Sequence, residues 1–422
     1  MAKSNLVASI ELGSTKITTL IAQVYDDPTG TERKINIVGV SATESQGIRK
    51  GQIVNLEEAV ESTINSVERA ERMAGYNLNS AYVSMGGAHI NSQNSHGVVA
   101  VSNPEGEIVP EDIERVIEAA SAVSLPSSRE LLHVIPREFV VDGESGVKDP
   151  LGMSGVRLEV QTHLITSSSA STKNLQKVMH EVGIKVDELV FSGLASSESV
   201  LTRTEKELGC VMIDIGGGTT SFAVFIEGAL SYSAVIPIGS RNVTNDLAIG
   251  LRVSLESAEK IKLALSKNKK KKKINKSDDQ LELTSLGINE NKRVSRKTLV
   301  EGIIRPRLNE IFTMVRIQLE KDNIINQIPS GAIVTGGGAD VVGIIDSAKR
   351  MLALPARTGR PKGVSGLIDD IMTPAYATPI GLILYGVKQS EIEPSGSIGN
   401  RIKLPSAGVA TKLFQAIRDL LP

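Results

Sequence analysis

The chain has 422 residues, of which 41% are hydrophobic and 23% charged, with a formal net charge of −1. That length exceeds what one hydrophobic core normally holds, so two or more domains are expected. The near-neutral balance excludes a global attraction to nucleic acid or anionic lipid, and the single cysteine, Cys210, excludes an internal disulfide.

Met1-Ala-Lys-Ser-Asn5 passes straight into a strand pattern without the apolar stretch of a signal peptide, and no run approaches the roughly 18 apolar residues of a bilayer span. An intracellular protein in a reducing cytosol is expected. The first strands, Leu6 to Leu12 and Lys16 to Ile21, flank Gly13-Ser14-Thr15, with Glu11 at the strand end. The turn Asp26 to Gly30 and a strand Ile35 to Val40 follow. Asn55 caps a helix that places Val60, Ile64, Val67 and Ala70 on its core face and ends at Gly75. From about 84 to 162 the texture changes to short strands, Gly and Asn turns and a helix at about 110–123, as in an inserted module. Strand Val160 to Thr166 is read as returning to the first domain, before a helix from Ser171 to Val182 and a crossing segment from Leu189 to Leu201.

The opening pattern then recurs. Cys210 starts a strand as a small buried hydrophobe, Asp214 stands near its end, and Gly216-Gly217-Gly218-Thr219 leads into Thr220 to Phe225. A strand Ala234 to Ile238 and helices at 242–251 and 255–265 come next. Seven lysines between 267 and 276, including Lys269 to Lys273, repel one another and suit a solvated loop, with an acidic partner or lipid as the minor alternative. A long helical stretch from Val294 to Glu320 contains Arg305-Pro306-Arg307, and a third glycine run, Gly336-Gly337-Gly338, follows the apolar strand before it. Residues 388–408 read as a linker. In the last dozen residues, Leu413, Phe414, Ile417, Leu420 and Leu421 fall on one side at helical spacing, against Lys412, Gln415, Arg418 and Asp419.

Glycine lets backbone N–H groups approach a bulky anion, and Ser and Thr add hydroxyl donors, so both hairpin turns suit phosphate: Gly13, Ser14, Thr15 and Lys16 in one, Gly216, Gly217, Gly218 and Thr219 in the other. A carboxylate repels phosphate, so Glu11 and Asp214 are read as holding a hydrated Mg²⁺ that the phosphates also bind. Lys16 supplies a point charge, and Gly336, Gly337 and Gly338 offer a flat platform for a base or ribose. No Gly-x-x-x-x-Gly-Lys-Ser/Thr run is present, so the site is not a P-loop.

This order of motifs resembles the actin-like ATPase superfamily. Gly47-Ile-Arg-Lys-Gly51, Gly86-Gly-Ala-His89, His133-Val-Ile-Pro136, Asp149-Pro150 through Glu159, Ile236-Pro237-Ile-Gly239 and Thr373-Pro374 through Gly381 are similar to its FtsA branch, a family of bacterial cell-division proteins. The resemblance implies an α/β actin-like fold: two duplicated α/β domains around a nucleotide cleft, an inserted small α+β subdomain IC, and a C-terminal amphipathic helix. It divides the chain into subdomain IA (1–83, 163–192, with a return at 371–387), IC (84–162), IIA (193–244 and 328–370), IIB with the lysine-rich loop (245–327), the linker (388–408) and the terminal helix (409–422).

The resemblance also implies ATP and Mg²⁺ as cofactors, Glu259 and Lys262 at the ribose and base, and Arg296, Arg305 and Arg307 at an acidic FtsZ C-terminal tail. Read alone, Glu259 and Lys262 suit a solvated surface pair, and the arginines suit helix solubility equally well. Glu11 stands where the family commonly has Asp, and its extra methylene moves the carboxylate by about 1.5 Å. Glu159, Gln161 and His163 lie on one strand, but no motif marks any of them as the group that positions water, so turnover is expected to be slow or regulated.

The terminal segment has no obvious core to dock on. It suits a bilayer surface, a partner groove or a site on its own domains, and the family uses such a tail as its membrane anchor. Five large apolar side chains contribute at most about 7–15 kcal/mol. Ordering about twelve residues at ~1–2 kcal/mol each removes most of it, so one tail binds weakly and many tails linked in a polymer bind firmly. The leading expectation is therefore an ATP-binding, polymer-forming adaptor, peripheral on the cytoplasmic side of the membrane at the division septum. It would anchor FtsZ there, recruit later division proteins through IC and have no nucleic-acid partner. The alternatives are a type IV pilus assembly adaptor of the PilM kind and a small-molecule kinase of the same superfamily.

Overall fold

A computed structural model of the chain describes residues 5–26, 33–103, 105–267, 279–288, 293–367 and 371–392. The turn after Asp26 through Gly30, most of the lysine run, the linker beyond 392 and the terminal segment with Leu413, Phe414, Ile417, Leu420 and Leu421 lie outside the described residues.

Two sheets share one strand order. In the first, strands Arg33–Glu44, Lys16–Asp26 and Asn5–Leu12 form an antiparallel meander, and Ser80–Met85 and Lys185–Phe191 continue it in parallel. In the second, Ala229–Ile236, Thr220–Ile226 and Cys210–Ile215 form the meander, and Ala332–Thr335 and Ala356–Thr358 are the parallel pair. Two copies of one topology explain the repeated sequence pattern. Both Cys210–Ile215 and Thr220–Ile226 are almost wholly buried, as befits strands covered on both faces.

Helix Leu56–Ala74 begins where the Asn55 side chain accepts the Glu58 N–H at 3.4 Å and ends at Gly75, which adopts the left-handed conformation with φ 72°. Its buried face differs from the expected one: Ala59, Ser62, Thr63, Ser66, Val67 and Ala70 are inside, and Val60 and Ile64 are only half-buried. Two causes shift it. Gly39 brings the sheet so close that a Cβ there would stand 2.6 Å from the Ala70 carbonyl oxygen, and Ser66 bonds the Thr19 hydroxyl at 2.8 Å. Small hydroxyl residues therefore replace bulky ones at the contact.

A third sheet, ordered Asn91–Ala100, Arg157–Ser168, Arg129–Val141 and Glu144–Val147, carries helix Pro110–Ser121 on one face around Ile113, Val116, Ile117, Phe139, Leu158 and Val160. Strand Arg157–Ser168 does not return to the first domain as expected. It pairs along its length with both neighbours and is central to the inserted sheet. The insert also touches the second half: Ser92 Oγ donates to the Ser233 carbonyl at 2.6 Å, and His163 Nε2 meets Ser233 Oγ at 2.9 Å.

Helices Ser192–Val200 and Ala377–Ile392 carry the chain between the halves. They cross so closely that a Cβ on Gly381 would collide with the Ala195 carbonyl oxygen. The second of them continues past residue 388, where Lys388 pairs with the buried Glu198, so the linker cannot begin there. Among the described residues no helix is long and apolar enough to cross a membrane.

Candidate functional site

The two hairpin turns have the same geometry. Gly13 N donates to Lys16 O at 3.1 Å with Leu12 opposite Ile17, and Gly216 N donates to Thr219 O at 2.9 Å with Ile215 opposite Thr220. Glu11 and Asp214 precede these turns at the same offset. The turns face each other across the molecule: a Cβ on Gly217 would strike the Thr15 side chain, and one on Gly218 would stand 2.9 Å from Ser14 Oγ. Between the halves lies a cavity of about 560 Å³ lined by Glu11, Gly13, Ser14, Thr15, Lys16, Asp214, Gly216, Gly217, Thr219, Glu259, Lys262, Gly336 and Gly337, among others. Gly218 instead packs against Ser14 and Lys50, and Gly338 against Ile215.

The first turn is braced by the segment around Gly47 and Gly51, whose Gly51 N–H donates to Ser14 Oγ at 3.0 Å. The second is braced by helix Ser240–Leu251, since Ser240 N and Arg241 N donate to the carbonyls of Gly216 and Gly217, each at 2.9 Å. The glycine turn thus sits on a helix N-terminus, a place that favours negative charge.

Buried charge concentrates at the strand ends. Burial pushes the Glu11 carboxyl up to about 7, against the pull of Lys16 and with a further push from Asp214. Its Oε2 is buried without a hydrogen-bond partner among the described residues. Burial also raises Asp214, although its Oδ2 accepts from Ser196 Oγ at 2.5 Å and Thr378 Oγ1 at 2.9 Å. Lys16 Nζ donates to the Ala375 carbonyl at 2.6 Å and stands 4.2 Å from the Tyr376 ring centre; burial lowers its pKa, opposed by Glu11 and Asp214. No group of three or more His, Cys, Asp or Glu side chains gathers as a metal cage among the described residues. Two desolvated carboxylates, one with an unsatisfied oxygen, fit a cation that keeps most of its own water.

Across the cavity, Lys262 is not the solvated member of a surface pair that its spacing alone suggests, although the Glu259 side chain stays partly exposed. Lys262 is buried, its Nζ lies 2.7 Å from Glu259 Oε2, and both bond Thr244 Oγ1, at 3.0 and 2.6 Å. Gly336, at φ 82°, has Asp214 Oδ1 where a Cβ would stand, whereas a Cβ on Gly337 would meet nothing within 4 Å. The platform therefore splits into one glycine needed by the fold and one facing open space.

Ser196 and Thr378, which hold Asp214, are functional residues that sequence reasoning missed. Thr378 lies in the Thr373 to Gly381 stretch, which carried the resemblance without a role; Ser196 sits in a serine-rich helix with no signature. Glu159, Gln161 and His163 do not line the cavity. Glu159 pairs with His96 at 2.8 Å and Arg157 at 3.0 Å, and His163, pushed down to about 3 by burial, bonds Asn94 and Ser233 at the insert's joint. The three arginines are elsewhere too. Arg307 is bidentate to Asp246 at 2.6 and 2.8 Å and meets Glu310 at 2.5 Å; Arg305 pairs with Glu301; Arg296 lies near Asp279.

Duplicated α/β halves, joined by two crossing helices around a cleft with matching turns, define a protein of the actin-like fold. Solved structures agree: the PilM-PilN type IV pilus biogenesis complex matches with a TM-score of 0.62 at 15% identity over 90% of this chain and 98% of that one. MreB5 of Spiroplasma citri bound to ADP matches with 0.50 at 13% identity over 92% and 97%. At such identities these likenesses speak for the fold alone. The sequence goes further. Residues 87–166 match the model of the SHS2 domain inserted in FTSA, and residues 211–381 match that of the cell division protein FtsA. The cell division protein FtsA of Pseudomonas aeruginosa is 38% identical over 391 residues, covering 92% of this chain and 90% of the relative, and that of Escherichia coli K12 is 36% identical over 408 residues, covering 94% of each. The chain belongs to the FtsA family of bacterial cell-division proteins.

Proposed function

We propose that the chain binds ATP with Mg²⁺ in the cleft, assembles into filaments, and tethers FtsZ to the cytoplasmic face of the membrane at the division septum. The observation that carries this reading is the pair of matched turns with their strand-end carboxylates around one cavity, in a member of a cell-division family. Solved MreB5 structures with ADP and with AMPPNP have the same fold, which supports a nucleotide here.

In this reading the turn glycines, Ser14, Thr15 and Thr219 receive the phosphates, Lys16 balances their charge, and Glu11 and Asp214 hold the metal through water. Mg²⁺ would neutralise phosphate charge that the two carboxylates otherwise repel. Glu259, Lys262, Gly336 and Gly337 receive the nucleoside. A bound nucleotide touches both halves and so favours the closed cleft, and closure favours head-to-tail contacts between copies. Filaments gather terminal segments, each with Leu413, Phe414, Ile417, Leu420 and Leu421 on one side, and turn weak single attachments into a firm one. The inserted sheet serves filament contacts and later division proteins. For the FtsZ tail, the ion pairs of Arg305 and Arg307 leave Arg296 as the better candidate.

The test is co-sedimentation with liposomes of FtsZ, with and without ATP, comparing the full chain with one ending at Gly408. ATP-stimulated FtsZ recovery by the full chain alone is expected. Equal recovery by the shortened chain would refute the tether.

A further inference from the structure

Hydrolysis of a bound nucleotide needs a side chain that holds water at the terminal phosphate, and Glu159, Gln161 and His163, the residues weighed for that role in the sequence, do not line the cavity. His89 lines it as well. It follows strand Ser80–Met85, which runs parallel to Asn5–Leu12 with Ile10 opposite Val83. The carboxyl ends of both strands therefore open on the same side, where open α/β sheets take their ligands. Ser84, Gly86 and His89 share the cavity wall with Glu11 and the first turn.

The imidazole is held in place. Gly87, at φ 129°, has no Cβ, and one built there would stand 2.8 Å from His89 Nδ1. Arg129 Nη2 donates to the His89 carbonyl at 3.0 Å and to Thr166 Oγ1 at 2.7 Å. Gly51, whose amide bonds Ser14 in the first turn, packs so close that a Cβ on it would be 2.7 Å from both Gly86 O and Gly87 Cα. One line of contacts thus runs from the phosphate turn to the ring. Despite this fixed frame, Nδ1 and Nε2 are both buried without a hydrogen-bond partner among the described residues. Neither nitrogen is open to solvent here, so a water or ligand oxygen completes the ring only when nucleotide binding shifts the cavity wall beside it.

We infer that His89 positions the attacking water at the terminal phosphate of the nucleotide, an inference that rests on the nucleotide reading above. One ring nitrogen accepts a hydrogen bond from that water. The water oxygen bonds to the γ-phosphorus, and the bond from that phosphorus to the β,γ-bridging oxygen breaks, its electron pair leaving with ADP. One water proton stays on the attacking oxygen and the other passes to an oxygen of the released phosphate. Burial, with Arg129 adding to it, holds the imidazole below its usual range, so the ring is neutral near pH 7 and keeps an acceptor nitrogen.

The experiment uses the full chain with Mg²⁺ and ATP, measuring single-turnover hydrolysis and, separately, ATP affinity by calorimetry. His89→Phe keeps the ring volume without nitrogens, and His89→Ala opens a space that added imidazole can fill. Both are expected to slow hydrolysis about tenfold or more with affinity within about twofold, and imidazole is expected to restore rate to His89→Ala alone. If His89→Phe fails to fold, His89→Ala and its rescue decide. An unchanged rate, a parallel loss of affinity and rate, absent rescue, or an unaltered chain that binds ATP without hydrolysing it would each overturn the inference. Absence of ATP affinity in the unaltered chain would remove the nucleotide reading itself, and this inference with it.

Discussion

Glu11 opposes folding when the cleft holds no ligand. Its carboxyl is raised from 4.5 to about 7 by burial, so the folded chain binds a proton there more tightly than the unfolded chain does. Below pH 4.5 both states are protonated and the group contributes nothing. As pH rises from 4.5 to about 7 the unfolded state is favoured progressively, by up to about 3 kcal/mol in total. Without nucleotide and magnesium, Glu11→Gln is therefore expected to be more stable than the parent at pH 8 and equal to it at pH 4, as urea denaturation would report. With Mg-ATP present the order of stability is expected to reverse, because in the proposed reading the variant lacks a charge for the cation. Equal stability at both pH values would show that water reaches this carboxylate freely. The same scale separates the two cavity glycines: Gly336 is needed because Asp214 occupies its side-chain space, whereas a Cβ on Gly337 would meet nothing within 4 Å.

Helix Arg305–Lys321 shows how an element reassigns residues that sequence marks as sticky. Pro306 lacks an N–H, and the turn before it widens to a π-type segment over Val300–Ile304, in which Arg305 N bonds Val300 O. That places Arg307 against helix Ser240–Leu251, where its guanidinium is bidentate to Asp246. The bond to Asp246 also raises the pKa of Arg307. Arg307→Ala leaves Asp246 without that partner, and a loss of roughly 1–3 kcal/mol in stability is expected by denaturation. Arg296→Ala should leave stability within about 0.5 kcal/mol while lowering affinity for an acidic FtsZ tail peptide. If Arg307→Ala weakened the peptide without destabilising the chain, the roles would be exchanged. The helix over Leu56–Ala74 carries the companion lesson: apolar spacing located the element, and the closeness of Gly39 decided which face went inside.

At the scale of the molecule, the two halves are joined where Ser192–Val200 crosses Ala377–Ile392. Gly381 permits that crossing, with Ser199 Oγ donating to the Ala377 carbonyl at 2.7 Å and Ser196 Oγ meeting Thr378 Oγ1 at 2.8 Å beside it. The same crossing supplies both hydroxyls that hold Asp214, so the crossing and that carboxylate are mechanically one unit. Gly381→Val forces the helices apart, and a loss of at least about 2 kcal/mol is expected in denaturation, with a larger radius of gyration in small-angle scattering. A variant as stable and as compact as the parent would mean that the halves are held chiefly by the insert's joint around Ser233.

Local order was legible in the chain because local chemistry sets it. Strand–turn–strand repeats, the carboxylates Glu11 and Asp214, the Asn55 cap and the Gly75 stop all depend on residues a few positions apart. The cavity lining likewise includes most of the turn residues marked in advance. Partnerships across long separations were not legible. Ser196 and Thr378 reach Asp214 from distant helices, Arg307 finds Asp246, Lys262 becomes buried through Thr244, and strand Arg157–Ser168 joins the insert because two neighbours compete successfully for its backbone. Sequence alone determined which residues are proposed to carry the chemistry of phosphate and cation. The tertiary structure decided which of them face the cleft and what steadies them, because burial and long-range hydrogen bonds exist only once the two halves have closed around it.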